Sequence, residues 1–148
     1  MNARLCLTKL LMVYCFVFIM GIATFVRADV VIIVHPTAEQ LLTDIQIARI
    51  FLGKDKFLPN GEQITPVSMK KTTSAYKEFS QDVMKKKPKQ FSAHWSRIAF
   101  TGKAAPLQEA TTSEELKRMV AENPNMIGFI PKEDVDDSVK AIDISQSF

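Results

Sequence analysis

Five consecutive β-branched residues, Val30-Val31-Ile32-Ile33-Val34, place the tightest constraint on this chain. Branching at Cβ stiffens χ1 and suits the pleated surface of a sheet. A half-solvated strand alternates apolar with polar residues. This run does not, so both of its faces must be covered, as in a parallel sheet. His35-Pro36 ends it.

Helical signals follow. Thr37 with Gln40, and Thr43 with Gln46, both have the capping-box spacing. Leu41, Ile45, Ala48 and Leu52 repeat at helical spacing, and Gly53 stops that helix. Lys54 to Gln63 is a loop around the turn Pro59-Asn60-Gly61. Ile64 to Val67 reads as a second strand, with a free side at Pro66, which has no N–H to donate. Thr72 to Ser74 offer capping hydroxyls to a helix whose apolar stripe is Tyr76, Phe79 and Val83. Lys85-Lys86-Lys87 closes that helix, and Pro88 opens the next, with Phe91, Trp95 and Ile98 inward. After a loop from Gly102 to Pro106, Thr112 with Glu115 caps a helix that buries Leu116, Met119 and Val120. Asn123-Pro124-Asn125 turns the chain into a third strand, Met126 to Ile130. Val139 to Ile144 is a fourth. Strands alternating with helices indicate an α/β domain. Its expected core is Val31, Ile33, Ile45, Phe51, Phe79, Trp95, Ile98, Leu116, Ile127 and Phe129.

The first 28 residues read differently. Arg4 and Lys9 precede an uncharged run, Leu10 to Phe25, and Val26-Arg27-Ala28 ends it. This is the pattern of a secretory signal peptide cleaved after Ala28. The rival is a membrane anchor, for which the run is short against the roughly 20 apolar residues of a full span. Cleavage leaves a domain over residues 29–148, located in the periplasm and free of the membrane. Cys6 and Cys15 leave with the signal, and so do three basic residues. The remainder holds 16 basic and 16 acidic groups. A neutral balance argues against a nucleic-acid partner, which needs a basic surplus to displace counterions. The charge is uneven: +5 over Asp29 to Lys103 and −5 from Ala104 onward. Two solvated surfaces explain that, and so does a basic face suited to anions.

Catalytic signatures are missing. There is no HExxH, no nucleophile elbow and no P-loop. His94 reads as a boundary residue, and His35 as a strand-end residue where α/β folds place ligands. Asp134, Asp136 and Asp137 lack the glycine and distal glutamate of an EF-hand and read as a solvated turn. Lys85, Lys86, Lys87 and Lys89 read as a solvated helix end. No cofactor is expected, and no enzymatic activity.

One segment has an anion-binding logic. Met69-Lys70-Lys71-Thr72-Thr73-Ser74 joins a strand to a helix. Such a junction converges free N–H groups at the positive end of the helix dipole. Lys70, Lys71, Thr72, Thr73 and Ser74 add donors suited to phosphate or sulfate. The plainer alternative is that Thr72 or Thr73 only caps the helix.

The order of motifs resembles the central lobe of the phosphate-binding protein of bacterial phosphate ABC transporters. The resemblance rests on Ile50-Phe51-Leu52-Gly53-Lys54, Pro59-Asn60-Gly61 and Ile64-Thr65-Pro66-Val67. Trp95-Ser96-Arg97-Ile98-Ala99-Phe100-Thr101-Gly102-Lys103 and Asn125-Met126-Ile127-Gly128-Phe129-Ile130 continue it. The first segment is fairly specific; the others carry weight through their order. The resemblance implies a single lobe of a type 2 periplasmic-binding-protein-like fold, with a mixed, mostly parallel sheet flanked by helices.

Family proteins clamp the ligand between two lobes, and this chain matches one. Their phosphate loop, an arginine followed by Ser-Gly-Thr, falls by spacing on Thr73-Ser74-Ala75, with Lys70 near the arginine position. The hydroxyls persist at Thr73 and Ser74. The glycine does not, and lysine lacks the bidentate fork of arginine. The resemblance therefore implies a non-catalytic, periplasmic solute-binding-like protein for phosphate or a similar oxyanion. The alternative is an interaction or sensor-accessory module that keeps the fold, has lost the ligand and docks to an envelope protein or transporter.

Overall fold

The structure, a computed structural model, describes residues 29–39 and 42–142. The expected leader, both cysteines, Gln40 and Leu41 lie outside the described residues. Strand β1 is Val30–Val34 and helix α1 is Asp44–Phe51. Strand β2, Thr65–Met69, leads to helix α2, Ser74–Glu78, which runs on as a π-helical turn over Phe79–Val83. Helix α3 is Pro88–Phe100, strand β3 Gln108–Ala110 and helix α4 Ser113–Glu122. Strand β4, Met126–Pro131, and strand β5, Lys140–Ile142, complete the order.

The strands form one sheet, ordered β3-β2-β4-β1-β5. β2 is parallel to β3 and to β4. β1 is antiparallel to both of its neighbours, β4 and β5. Four strands therefore share one direction and β1 opposes them, so the sheet is mixed and mostly parallel, as expected. The Val30–Val34 run is buried at every position, yet it is the one reversed strand. A continuous apolar run reports coverage of both faces. It carries no information on the direction of the ladder.

The core is continuous across the sheet. Phe79 stacks on Phe129 with centroids 3.9 Å apart, and Phe51 meets Phe79 edge-on at 4.7 Å. α4 packs on β4 and β1. That close approach needs Gly128, where a Cβ would lie 2.3 Å from Leu116 Cδ2. Eight of the ten expected core residues are buried. Ile98 is only half-buried. Ile45 is a correction: it is 72 % exposed, and α1 instead buries Ile47, Ile50 and Phe51. The segment Asp44–Phe51 contains two overlapping apolar sets at helical spacing, and the set with the larger buried volume faces the sheet.

Capping follows the sequence closely, with two exceptions: Thr112 caps Glu115 N–H without the reciprocal half of its box, since Glu115 Oε2 accepts from Thr111 N–H, and Thr37 caps nothing. Thr43 and Gln46 form a reciprocal capping box at α1. No helix begins at Thr37, which instead turns back on His35; Thr37 N–H donates to His35 Nδ1 at 3.2 Å. Gly53, Gly61 and Gly102 all have positive φ at the expected stops and turn. β3 was not expected from the sequence. Its residues, Gln108-Glu109-Ala110, are mostly polar and few. β3 pairs only with Val67 to Met69, which leaves the β3-facing side of β2 open at Pro66, as the proline requires.

Candidate functional site

The parallel strands β2, β3 and β4 end at the same edge of the sheet, where α/β folds place ligands. The loop Lys70 to Thr73 leaves β2 there and enters α2. His35 does not join it: β1 runs in reverse, so His35 sits at the opposite edge. His94 lies elsewhere again, part-buried, with Nε2 2.9 Å from the Leu52 carbonyl.

The loop is held by its own backbone. Lys70 N–H donates to the Ala110 carbonyl at 2.9 Å, which ties it to the end of β3. Thr73 N–H and Thr73 Oγ1 both donate to the Lys70 carbonyl, at 3.0 and 2.8 Å. Thr73 Oγ1 also accepts Tyr76 N–H at 3.2 Å. The Thr73 hydroxyl is thus a helix cap whose proton is already engaged. This favours the capping reading for that residue.

The other candidates differ. Lys70, Lys71, Thr72 and Ser74 are exposed. Ser74 and Ala75 occupy the first two helical positions, where N–H groups have no intrahelical partner. Ala75, which stands at the third position of the family triplet, is buried and carries no hydroxyl. Lys71 Nζ lies 3.6 Å from Glu109 Oε1, so its charge is partly balanced from within. The five candidate residues are consecutive and share one loop, but their donors are not equally available.

Two features beside this loop were not singled out from the sequence. A second Thr-Thr-Ser triplet, Thr111-Thr112-Ser113, opens α4, and Met69 pairs in register with Ala110, so the two triplets leave adjacent strand ends. Thr112 caps Glu115 N–H at 3.2 Å, Thr111 N–H donates to Glu115 Oε2 at 2.7 Å, and Ser113 Oγ donates to Asp134. The repeated triplet was the available signal, but it follows the strand that the polar sequence of β3 hid. The other feature is a cleft of about 280 Å³ lined by Lys71, Glu109, Tyr76 and Trp95. Burial pushes the Tyr76 phenol up, and the Glu109 carboxylate adds to that.

The acidic turn is structural. Asp134 accepts from Ser113, and Asp136 from Lys117 and Ser138. Among the described residues no three His, Cys, Asp or Glu side chains gather as a metal site, and no helix is long and apolar enough to cross a membrane.

No protein-family model matches the chain, and neither does any curated protein. Solved structures do match. A phosphate ABC transporter substrate-binding protein from Clostridium perfringens, with bound phosphate, is 25% identical with a TM-score of 0.59, over 76% of this chain and 43% of its own. An ABC-type phosphate transport receptor from Vibrio cholerae is 19% identical with a TM-score of 0.55, over 80% of this chain and 47% of its own. PstS from Borrelia burgdorferi is 12% identical with a TM-score of 0.57, over 80% of this chain and 48% of its own. This chain therefore resembles part of the phosphate-transporter binding proteins, in a periplasmic-binding-protein-like fold, and spans less than half the length of those it matches.

Proposed function

We propose that this protein is a periplasmic, non-catalytic solute-binding domain for phosphate or a similar oxyanion. The observation that carries the reading is the likeness to the phosphate-bound Clostridium perfringens protein, at 25% identity over 76% of this chain. The loop at the end of β2 supplies the chemistry. The amides at Ser74 and Ala75, which lack intrahelical partners, the hydroxyls of Thr72 and Ser74, and the ammonium groups of Lys70 and Lys71 are the donors it would offer an anion. Thr73 shapes this corner by capping α2. Residues 1–28 act as the export signal, and the domain begins at Asp29.

A single lobe leaves its ligand wet. Water screens each charge contact, so affinity is modest unless a second chain completes the cleft. Isothermal titration calorimetry of the purified protein with phosphate, sulfate and molybdate tests the reading. Binding of at least one of them supports it. Heat from none of them favours an interaction module docking to an envelope protein or transporter. Two observations favour that second reading: the Thr73 proton is committed to Lys70, and Lys71 faces Glu109.

A further inference from the structure

The cleft beside Lys71 has a chemistry that an oxyanion does not use. Its mouth carries one cation and one anion, Lys71 and Glu109, 3.6 Å apart and 51% and 32% exposed. That separation exceeds the 2.7–2.9 Å or so of a charge-assisted hydrogen bond. Each group therefore keeps hydrogen-bonding capacity for a further partner. The rest of the lining is mixed: Trp95, Ala99, Pro106 and Leu107 supply apolar surface beside Tyr76, Ser92 and Ser96. Trp95 offers only its ring there, because its indole N–H is already given to the Phe51 carbonyl at 2.9 Å. Trp95, Pro106 and Leu107 also line a second cleft of about 270 Å³, so the apolar surface continues past the first.

A simple anion would meet the Glu109 carboxylate, and a simple cation would meet Lys71. A ligand with both charges on a small apolar body satisfies both. We propose that this cleft binds a small apolar zwitterion of the α-amino acid class. Lys71 takes the carboxylate, Glu109 takes the ammonium, and the side chain lies on Trp95 and Leu107. The site goes beyond the oxyanion reading and shares only Lys71 with it.

Trp95 is the only tryptophan in the sequence, so its fluorescence reports on this cleft directly. The purified protein is titrated with L-leucine, isocaproate and isoamylamine, following Trp95 emission and the melting temperature. The last two probes each lack one charge of leucine. Leucine is expected to shift both readouts, and each single-charge analogue to bind about tenfold more weakly or less, the loss of one charged hydrogen bond. Glu109→Gln should bring leucine down to the level of isocaproate without lowering the response to phosphate, since it only frees the Lys71 charge. Leucine without effect on either readout at high millimolar concentration overturns the proposal. So does isocaproate binding as well as leucine with Glu109→Gln indifferent. Phosphate is a separate arm: its failure sinks the oxyanion reading and leaves this one standing, and the reverse holds for leucine.

Discussion

The indole N–H of Trp95 donates to the carbonyl of Phe51 at 2.9 Å, which joins α3 to the last turn of α1 across 44 positions of sequence. The neighbouring His94 reaches the Leu52 carbonyl. Terminal helix carbonyls lack intrahelical partners, so α3 supplies the end of α1 with donors that α1 itself does not.

Two Trp95 substitutions separate packing from hydrogen bonding. Trp95→Ala removes a buried ring and should cost about 3–5 kcal/mol. Trp95→Phe keeps most of the apolar surface but leaves the Phe51 carbonyl without its donor, at about 1–3 kcal/mol. Urea denaturation of the three proteins measures both. Equal losses would show that the hydrogen bond, and not the ring, is what matters.

Gly128 and Leu116 mark a close approach between α4 and β4. A methyl at position 128 would lie 2.3 Å from Leu116 Cδ2, and Leu116 is fully buried with little room to move. Gly128→Ala should cost about 1–3 kcal/mol by overpacking. Leu116→Ala alone opens a cavity, at about 2–5 kcal/mol. In the double variant each change relieves the other, so its loss should fall well below the sum. Additive losses would mean that α4 and β4 simply move apart.

These contacts show how far a single sequence could be read. Apolar runs, caps and glycine stops depend on nearest neighbours, and Val30–Val34, the Thr43–Gln46 box and Gly53 all stand where local chemistry put them. Ile45 failed because the helical period in α1 is satisfied by two faces, and only the tertiary partner selects one. β3 failed because an edge strand of three mostly polar residues has no hydrophobic pattern of its own. The reversal of β1 is a property of the whole sheet, invisible in its residues. The junction from Lys70 to Thr73 was legible as a strand-to-helix loop because its capping hydroxyls are consecutive. Glu109 was not, because parallel pairing of β3 with β2 is what carries it to Lys71.

Acid should weaken the fold at one identifiable point. Asp136 accepts from Lys117 Nζ and from the Ser138 backbone and hydroxyl, and its carboxyl is held down at about 2, below its ordinary 3.8. A carboxyl depressed on folding adds stability above its unfolded value and loses it as pH falls through the folded one. The window is therefore from pH 3.8 down to about 2. Lys117→Met removes the hydrogen bond that does most to hold Asp136 ionised and should flatten the decline of the urea midpoint across that window. An unchanged acid limb would mean that other carboxylates dominate.

Export gives a prediction on the leader. Mass spectrometry of the protein from the periplasmic fraction should show a chain beginning at Asp29, because Leu10 to Phe25 is short for a span and Val26-Arg27-Ala28 suits cleavage. An intact Met1 start in the membrane fraction would identify an anchor instead.

The anion corner is tested best by separating its caps from its donors. Thr73 holds α2 through Tyr76 N–H, so Thr73→Ala should cost about 1 kcal/mol whether or not an anion binds. That variant is uninformative about ligand. Ser74 is exposed at the first helical position, and Lys70 and Lys71 are exposed on the loop. Removing these side chains should leave the melting temperature of the free protein nearly unchanged. Phosphate should raise the melting temperature of the wild type, as a ligand of the native state does. The rise should be smaller in Ser74→Ala and absent in Lys70→Ala with Lys71→Ala. It should also shrink with added salt, because both lysines are exposed and screened. If phosphate shifts none of these proteins even at high millimolar concentration, the corner is a cap and nothing more, and the interaction-module reading takes its place.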